Sequence, residues 1–229
     1  MKTIIDYAAI ENVSVNQAPY PYFGIENVFA ESSHQALLND FPTINNGGSL
    51  PLDAITVEGE LARLVDEIKS DQFRQVMAKK FDVDLDDKPI VITARGFSRQ
   101  RDGQNHTDSK TKLITVLLYV NDGWESPNGR LRMLNGDDIN NYVAEFSSSI
   151  GQMIAFKVTD NCWHGYQSYE GQRQSLQINY LVEEKYQQKN SFFTKLKIFF
   201  VYKTRGLSTI TKYFKTYPDL LVDQESYNS

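Results

Sequence analysis

From Pro89 to about Glu184 the chain breaks into a series of short β-forming runs, each ended by turn residues, and this pattern constrains the fold most. Residues 89–99 (PIVITARGFSR) read as a strand and 101–105 (RDGQN) as a turn. Residues 112–121 (KLITVLLYVN) are almost continuously apolar, the mark of a strand buried on both faces. A loop at 122–129 (DGWESPNG) follows, then strand candidates at 130–134, 140–146, 151–158, 163–169 and 173–184. Many short strands with such punctuation point to an all-β sandwich or barrel.

Ahead of this region the period changes. Residues 32–40 (SSHQALLND) suggest a short helix capped by serine and stopped at Phe41-Pro42, and 43–49 (TINNGGS) a loop. Over 58–81 the apolar positions Leu61, Leu64, Val65, Ile68, Phe73, Val76 and Met77 fall at helical spacing, with a break near Ser70-Asp71. No repeat or low-complexity tract interrupts the chain. The simplest partition is one domain over 1–189, with helices in 1–88 and a β core in 89–189, followed by a helical extension over 190–229.

Composition excludes several classes. At 41% hydrophobic residues the chain can bury a core. Its net charge of −5 argues against a dedicated nucleic-acid binder, so no nucleic-acid partner is expected. Asp6 and Glu11 interrupt the N-terminus before a signal-peptide core develops, and no run approaches the ~20 apolar residues of a membrane span. With Cys162 as the lone cysteine, the expectation is a cytoplasmic protein. The charge is uneven, however. Residues 185–218 hold eight Lys or Arg and no acid, so with the whole at −5 the remainder carries −13. Phe192, Phe193, Phe199, Phe200 and Tyr202 interleave with those cations. Amphipathic helices packed on the body would explain this, as would weak contact of 190–217 with anionic membrane or glycan.

Only three histidines are available for chemistry: His34, His106 and His164. His34 falls in the N-terminal helix and suits a surface or packed role. In extended chain, residues i and i+2 share a face, so His106 and Asp108 can aim an imidazole and a carboxylate at one point. His164 arrives on a later strand. Two histidines and a carboxylate compose the facial triad that holds non-haem Fe(II) and leaves positions open for substrate and oxygen. Cys162 is a weaker ligand candidate, and with Trp163 it suits the core.

Arg173 follows His164 by nine residues. A two-residue hairpin loop at Glu170-Gly171 would pair Ser168 with Arg173 and His164 with Gln177. Arg173, Ser175 and Gln177 would then share a face with His164, with Arg173 about 13 Å along the strand. A five-carbon dicarboxylate could span that gap, chelating iron at one end and meeting Arg173 at the other.

These residues, His106-x-Asp108, His164 and Arg173-x-Ser175, resemble the Fe(II)- and 2-oxoglutarate-dependent oxygenases of the prolyl-4-hydroxylase-like branch. The resemblance covers about 89–183 and is vaguer over 22–81. It implies a mainly β fold with flanking helices (α+β), built on a double-stranded β-helix (jelly-roll) core. It further implies iron held by His106, Asp108 and His164, with 2-oxoglutarate bound by Arg173 and assisted by Tyr119, Ser175 and Gln177. Oxygen would be the oxidant and ascorbate a reductant, and hydroxylation would release succinate and CO2. The family often has two glycines before the strand at 130–134, whereas this chain has Asn128-Gly129, which puts that turn in question.

Substrate candidates around the metal mouth are Arg95, Phe97, Arg99 and Arg101 before the triplet, and Trp124 in the following loop. A peptidyl residue such as proline, a small molecule, a sugar or a lipid would each suit the domain. Two other classes share the barrel: an idle binding scaffold attached through its basic C-terminal segment, and a cupin-like metal protein without 2-oxoglutarate. Arg173 and the intact triad speak against both. The oligomeric state is open.

Overall fold

A computed structural model describes residues 3–182. In chain order its elements are α1 (Tyr7–Asn12), β1 (Tyr22–Ile25), α2 (Glu31–Asp40), β2 (Leu50–Pro51), a 3-10 turn (Leu52–Ala54), α3 (Gly59–Lys69), α4 (Asp71–Phe81), β3 (Ile90–Ser98), β4 (Lys112–Tyr119), β5 (Leu131–Leu134), β6 (Tyr142–Phe146), β7 (Met153–Lys157), β8 (His164–Gly165) and β9 (Gly171–Leu181). The strands form a six-stranded sheet in the order β1-β7-β4-β9-β3-β2 and a three-stranded sheet in the order β6-β5-β8. Every pairing is antiparallel.

The alternation along β4 shows how this becomes a layered fold. Ile114, Val116 and Leu118 join Ile92, Ala94, Leu176, Ile178, Met153 and Ala155 in one core cluster with the buried faces of α3 and α4. Leu117 and Tyr119 join Ile154 and Phe156 in a second cluster with Leu131 and Met133 of the small sheet. One face of the large sheet thus packs on helices and the other on the small sheet. That accounts for the continuous apolar run at 112–121.

Helix α3 presents Leu61, Leu64, Val65 and Ile68 to the sheet, all buried. Burying each such side chain is worth roughly 2 kcal/mol. The break expected near Ser70 is present: Ser70 ends α3 and caps α4, its Oγ accepting from Phe73 N at 3.2 Å. At the start of α3, Asp40 Oδ2 accepts from Glu60 N at 2.6 Å. Gly59, at φ +57°, leaves room for that carboxylate, since a Cβ there would lie 2.3 Å from it.

Two local expectations are corrected. The cap of α2 is Ala30, with no side-chain bond, because Ser33 Oγ instead donates to Glu60 Oε1 at 2.6 Å and ties α2 to α3. The hairpin at Glu170-Gly171 does not form. β8 pairs with β5 (Met133↔His164), while β9 pairs with β3 and β4. The intervening residues cross between the sheets, fastened by Tyr166 N to Gly103 O at 2.9 Å, Gly129 N to Gln167 O at 3.1 Å and Ser168 Oγ to Gln100 O at 2.8 Å. His164 and Arg173 therefore belong to opposing sheets and not to one hairpin face. No helix among the described residues is long and apolar enough to cross a membrane. The basic extension proposed for 190–229 lies outside the described residues.

Candidate metal centre and anion pocket

His106 and His164 are joined by a reciprocal backbone pair, His106 N to His164 O and His164 N to His106 O, each 3.0 Å. Their ring centroids lie 4.4 Å apart. With Asp108 they bring one ligating atom each within 4.8 Å of one another, the one such cluster among the described residues. His106 Nδ1 faces Gln104 O at 2.9 Å and His164 Nδ1 faces Cys162 O at 2.8 Å. A carbonyl only accepts, so each imidazole carries its proton at Nδ1 and presents Nε2 as a free donor atom.

Asp108 is held at both oxygens. Lys112 Nζ donates to Oδ1 at 2.5 Å, and Thr115 Oγ1 donates to Oδ2 at 2.5 Å. A carboxylate has about four lone-pair sites, so positions remain for a metal. Burial works against the charge on Asp108, but Lys112 and His164, with the hydrogen bonds from Lys112 and Thr115, hold its pKa below the usual value. Burial and the neighbouring His106 push His164 down from 6.5 to about 4, with Asp108 opposing. The set is two neutral nitrogens and one anionic oxygen on one side of a point, a donor set that fits Fe(II).

The triad opens into a cavity of about 200 Å3 between the two sheets. Register lines up its inner wall. Across β4, β9 and β3 lies a row Tyr119–Ser175–Arg95, then a row Leu117–Gln177–Thr93, while Thr115 pairs with Asn179. Read along β4, Thr115 touches Asp108, Leu117 lines the middle and Tyr119 reaches Arg173. The cavity thus runs from a metal end, past Leu117 and Gln177, to a cationic end. His106 is exposed while His164 and Arg173 are 5% exposed, so the metal end meets solvent and the arginine end is closed.

At the closed end Arg173 Nε donates to Gly129 O at 2.8 Å, and Nη2 donates to Tyr119 Oη at 2.8 Å. Its guanidinium carbon lies 4.0 Å from the Tyr166 ring centroid and 4.9 Å from that of Tyr119. None of the ion pairs among the described residues includes Arg173. A buried cation calls for an anionic partner. Burial raises the Tyr119 pKa against the pull of Arg173, so the phenol keeps its proton. Because Tyr119 Oη accepts from Arg173, that proton is free to be donated to a ligand. Ser175 Oγ is buried with no hydrogen-bond partner. Arg173, Tyr119 and Ser175 therefore offer a carboxylate three convergent donors. Gly129 sits at φ +76°, where a Cβ would run into Trp124, and this backbone turns its carbonyl toward Arg173. The turn that departs from the two-glycine pattern keeps the glycine the site uses.

The remaining residues singled out in the sequence are dispersed. Gln177 and Arg95 line the cavity. Phe97 pairs with Gln172 outside the cavity lining, and Arg99 is engaged by Asp102 at 2.7 Å, closing the turn before His106. Trp124 lies in a separate cleft of about 450 Å3, its ring 4.7 Å from that of Tyr169. His34 faces Phe29 O at 3.3 Å, away from the site. Cys162 is buried and contributes its carbonyl to His164. Lys112, Thr115, Tyr166 and Asn121 were missed. Thr115 shares the period-2 phase of Tyr119 and was open to detection, whereas Lys112 reaches Asp108 around a turn that no pattern signals.

No protein-family profile and no curated protein sequence matches the chain. Solved structures do. A prolyl-4-hydroxylase from Pseudomonas putida superposes with a TM-score of 0.54 at 13% identity, over 75% of this chain and 97% of that one. A prolyl 4-hydroxylase from Phytophthora capsici gives 0.54 at 15% identity, over 86% and 77%. The viral collagen prolyl hydroxylase of Paramecium bursaria Chlorella virus-1, solved as a 2OG complex, gives 0.50 at 16% identity, over 70% and 96%. The likeness is one of fold: the two sheets form the double-stranded β-helix expected from the sequence.

Proposed function

We propose that the chain is a non-haem Fe(II)- and 2-oxoglutarate-dependent oxygenase that hydroxylates a peptidyl residue, such as proline, or a small molecule, sugar or lipid. The observation that carries this is the cavity's polarity sequence: a facial triad at the open end, Leu117 and Leu131 in the lining, and buried Arg173 with Tyr119 and Ser175 at the closed end. It matches a dicarboxylate that chelates a metal at one end. The prolyl hydroxylases that share the fold support the reaction class. Arg173 has no counterpart in the purpose of an idle scaffold or a metal site without co-substrate.

Bound together, Fe(II) and 2-oxoglutarate supply an O2-derived oxidant that hydroxylates C–H bonds, with succinate and CO2 released. The protein's part is to hold and to shield. His106 and His164 offer Nε2, their orientation set by the carbonyls of Gln104 and Cys162. Asp108 offers its carboxylate in the pose that Lys112 and Thr115 set. Arg173, Tyr119 and Ser175 take the far carboxylate, and the leucines exclude water along the methylenes. The exposed side of His106 is left for the substrate.

The test is to mix protein, Fe(II) and 2-oxoglutarate without oxygen, look for the visible charge-transfer band of the chelate, then admit O2 and quantify succinate. A band and succinate are expected. Iron-loaded wild type without a band overturns the proposal. Arg173→Ala should weaken 2-oxoglutarate binding by about 100-fold while sparing iron, and Asp108→Ala should impair iron binding itself.

A further inference from the structure

We infer that Arg95 is a second cationic contact for the far carboxylate of the co-substrate, set opposite Arg173, and that the pair makes the site select dicarboxylates over monocarboxylates. The inference rests on the oxygenase function proposed above. It reassigns a residue whose place before the His106 triplet suggests a substrate contact.

Register places it there. Arg95 on β3 is the cross-strand partner of Ser175 on β9, and Ser175 is in turn the partner of Tyr119 on β4. Between Arg95 and Phe97 the pairing slips, so that Arg173 and Gln174 together oppose Gly96. This bulge keeps Arg173 beside Ser175 while β3 brings Arg95 to its other side. Directly opposed residues have Cβ atoms about 5 Å apart, so Arg95 and Arg173 flank one serine hydroxyl.

Chemistry then demands a ligand. Arg95 lines the cavity, and its Nε is buried without a hydrogen-bond partner, as is Ser175 Oγ. No ion pair among the described residues engages either arginine. Asp102, the acid of the turn after β3, is committed to Arg99 through contacts of 2.7 and 2.9 Å. Asp102 acts on Arg95 only at a distance, so two like charges beside unsatisfied donors are left short of an anion between them. The cavity's lone carboxylate, Asp108, is at the other end, held by Lys112. One carboxylate at the closed end answers Ser175, Arg95 and Arg173 together. A site built on buried donors also rejects strongly any analogue that lacks the matching acceptor.

The test uses Fe(II)-loaded protein under argon, with calorimetric titration of 2-oxoglutarate and of 2-oxovalerate. The latter keeps the chelating end and five-carbon chain but lacks the far carboxylate. Wild type should favour 2-oxoglutarate by about 100-fold or more. Arg95→Gln should lose about 10-fold or more in 2-oxoglutarate affinity and keep 2-oxovalerate within about twofold, with Arg95→Lys between. Arg95→Gln that binds 2-oxoglutarate like wild type overturns the inference. So does an equal loss for both acids, which would place Arg95 at the chelating end or in folding. Iron-loaded wild type that binds neither acid overturns the oxygenase function itself, and the role of Arg95 with it.

Discussion

His164 is kept neutral down to about pH 4 by burial and by His106, although an ordinary histidine titrates near 6.5. The unfolded chain therefore binds a proton between those values that the folded chain refuses, and stability rises with pH across that window. Asp108, held below the usual carboxylate range, acts in the same direction at lower pH. Metal-free protein should lose stability as pH falls from 6.5 to 4, by roughly 3 kcal/mol at most from His164. Denaturant titrations at several pH values check this, and His164→Asn should flatten the dependence. At this scale much was legible. Tyr119 enters only through the family resemblance, and the phase expected to link His164 to Arg173 is lost with the hairpin, whereas His106, Asp108 and His164 declare themselves by residue type and order, and Arg173 and Ser175 by their shared strand phase. Lys112 and Asn121 do not, because their partners are set by loop geometry that local pattern does not encode.

Among the elements, the end of the β4–β9 pairing is fastened by one side chain. Asn121 Oδ1 accepts from Gln174 N at 2.6 Å, while its Nδ2 faces Ser148 O at 2.6 Å and Gln174 O at 3.0 Å. It accepts from Gln174 N on the β4 side of β9, just past the end of β4 and next to Arg173, while Gln174 O also accepts from Val120 N at 3.2 Å. Asn121→Ala strands buried backbone groups and should cost about 2–3 kcal/mol in chemical denaturation. It should also weaken 2-oxoglutarate more than iron. The periodicities over 58–81 and 112–121 predicted elements well because both depend on near neighbours and burial. The serine cap of α2 failed because Ser33 is drawn to Glu60, a partner distant in sequence. The hairpin at Glu170-Gly171 failed for a related reason: contacts from Gly103, Gln100 and Gly129 hold 166–168 between sheets. The shared face of Arg173, Ser175 and Gln177 survives, since it needs only the strand itself.

At the scale of the described body, stability and chemistry occupy different faces of the large sheet. Leu64 is fully buried in the helix-covered cluster. Leu64→Ala should cost about 2–5 kcal/mol in thermal or denaturant unfolding. The affinity of the folded fraction for 2-oxoglutarate should be unchanged. The sequence also predicts a separable property in its last forty residues, which hold six of the eight cations of the basic segment. Deleting 190–229 should reduce sedimentation onto anionic vesicles and leave iron binding intact. Unchanged sedimentation assigns that segment a packing role instead.

The division of ligands between sheets has a thermodynamic consequence. His164 comes from the small sheet, Arg173 from the large one, and the residues joining them form no strand pair between the two. A metal and a dicarboxylate that engage both ends behave as a reversible cross-link through the sandwich. At 100 times its dissociation constant such a ligand adds about 2.7 kcal/mol to the folded state. That increment opposes separation of the layers in particular. Amide hydrogen exchange in β5 and β8 should slow on loading more than exchange in β1, which pairs only with β7 within the large sheet.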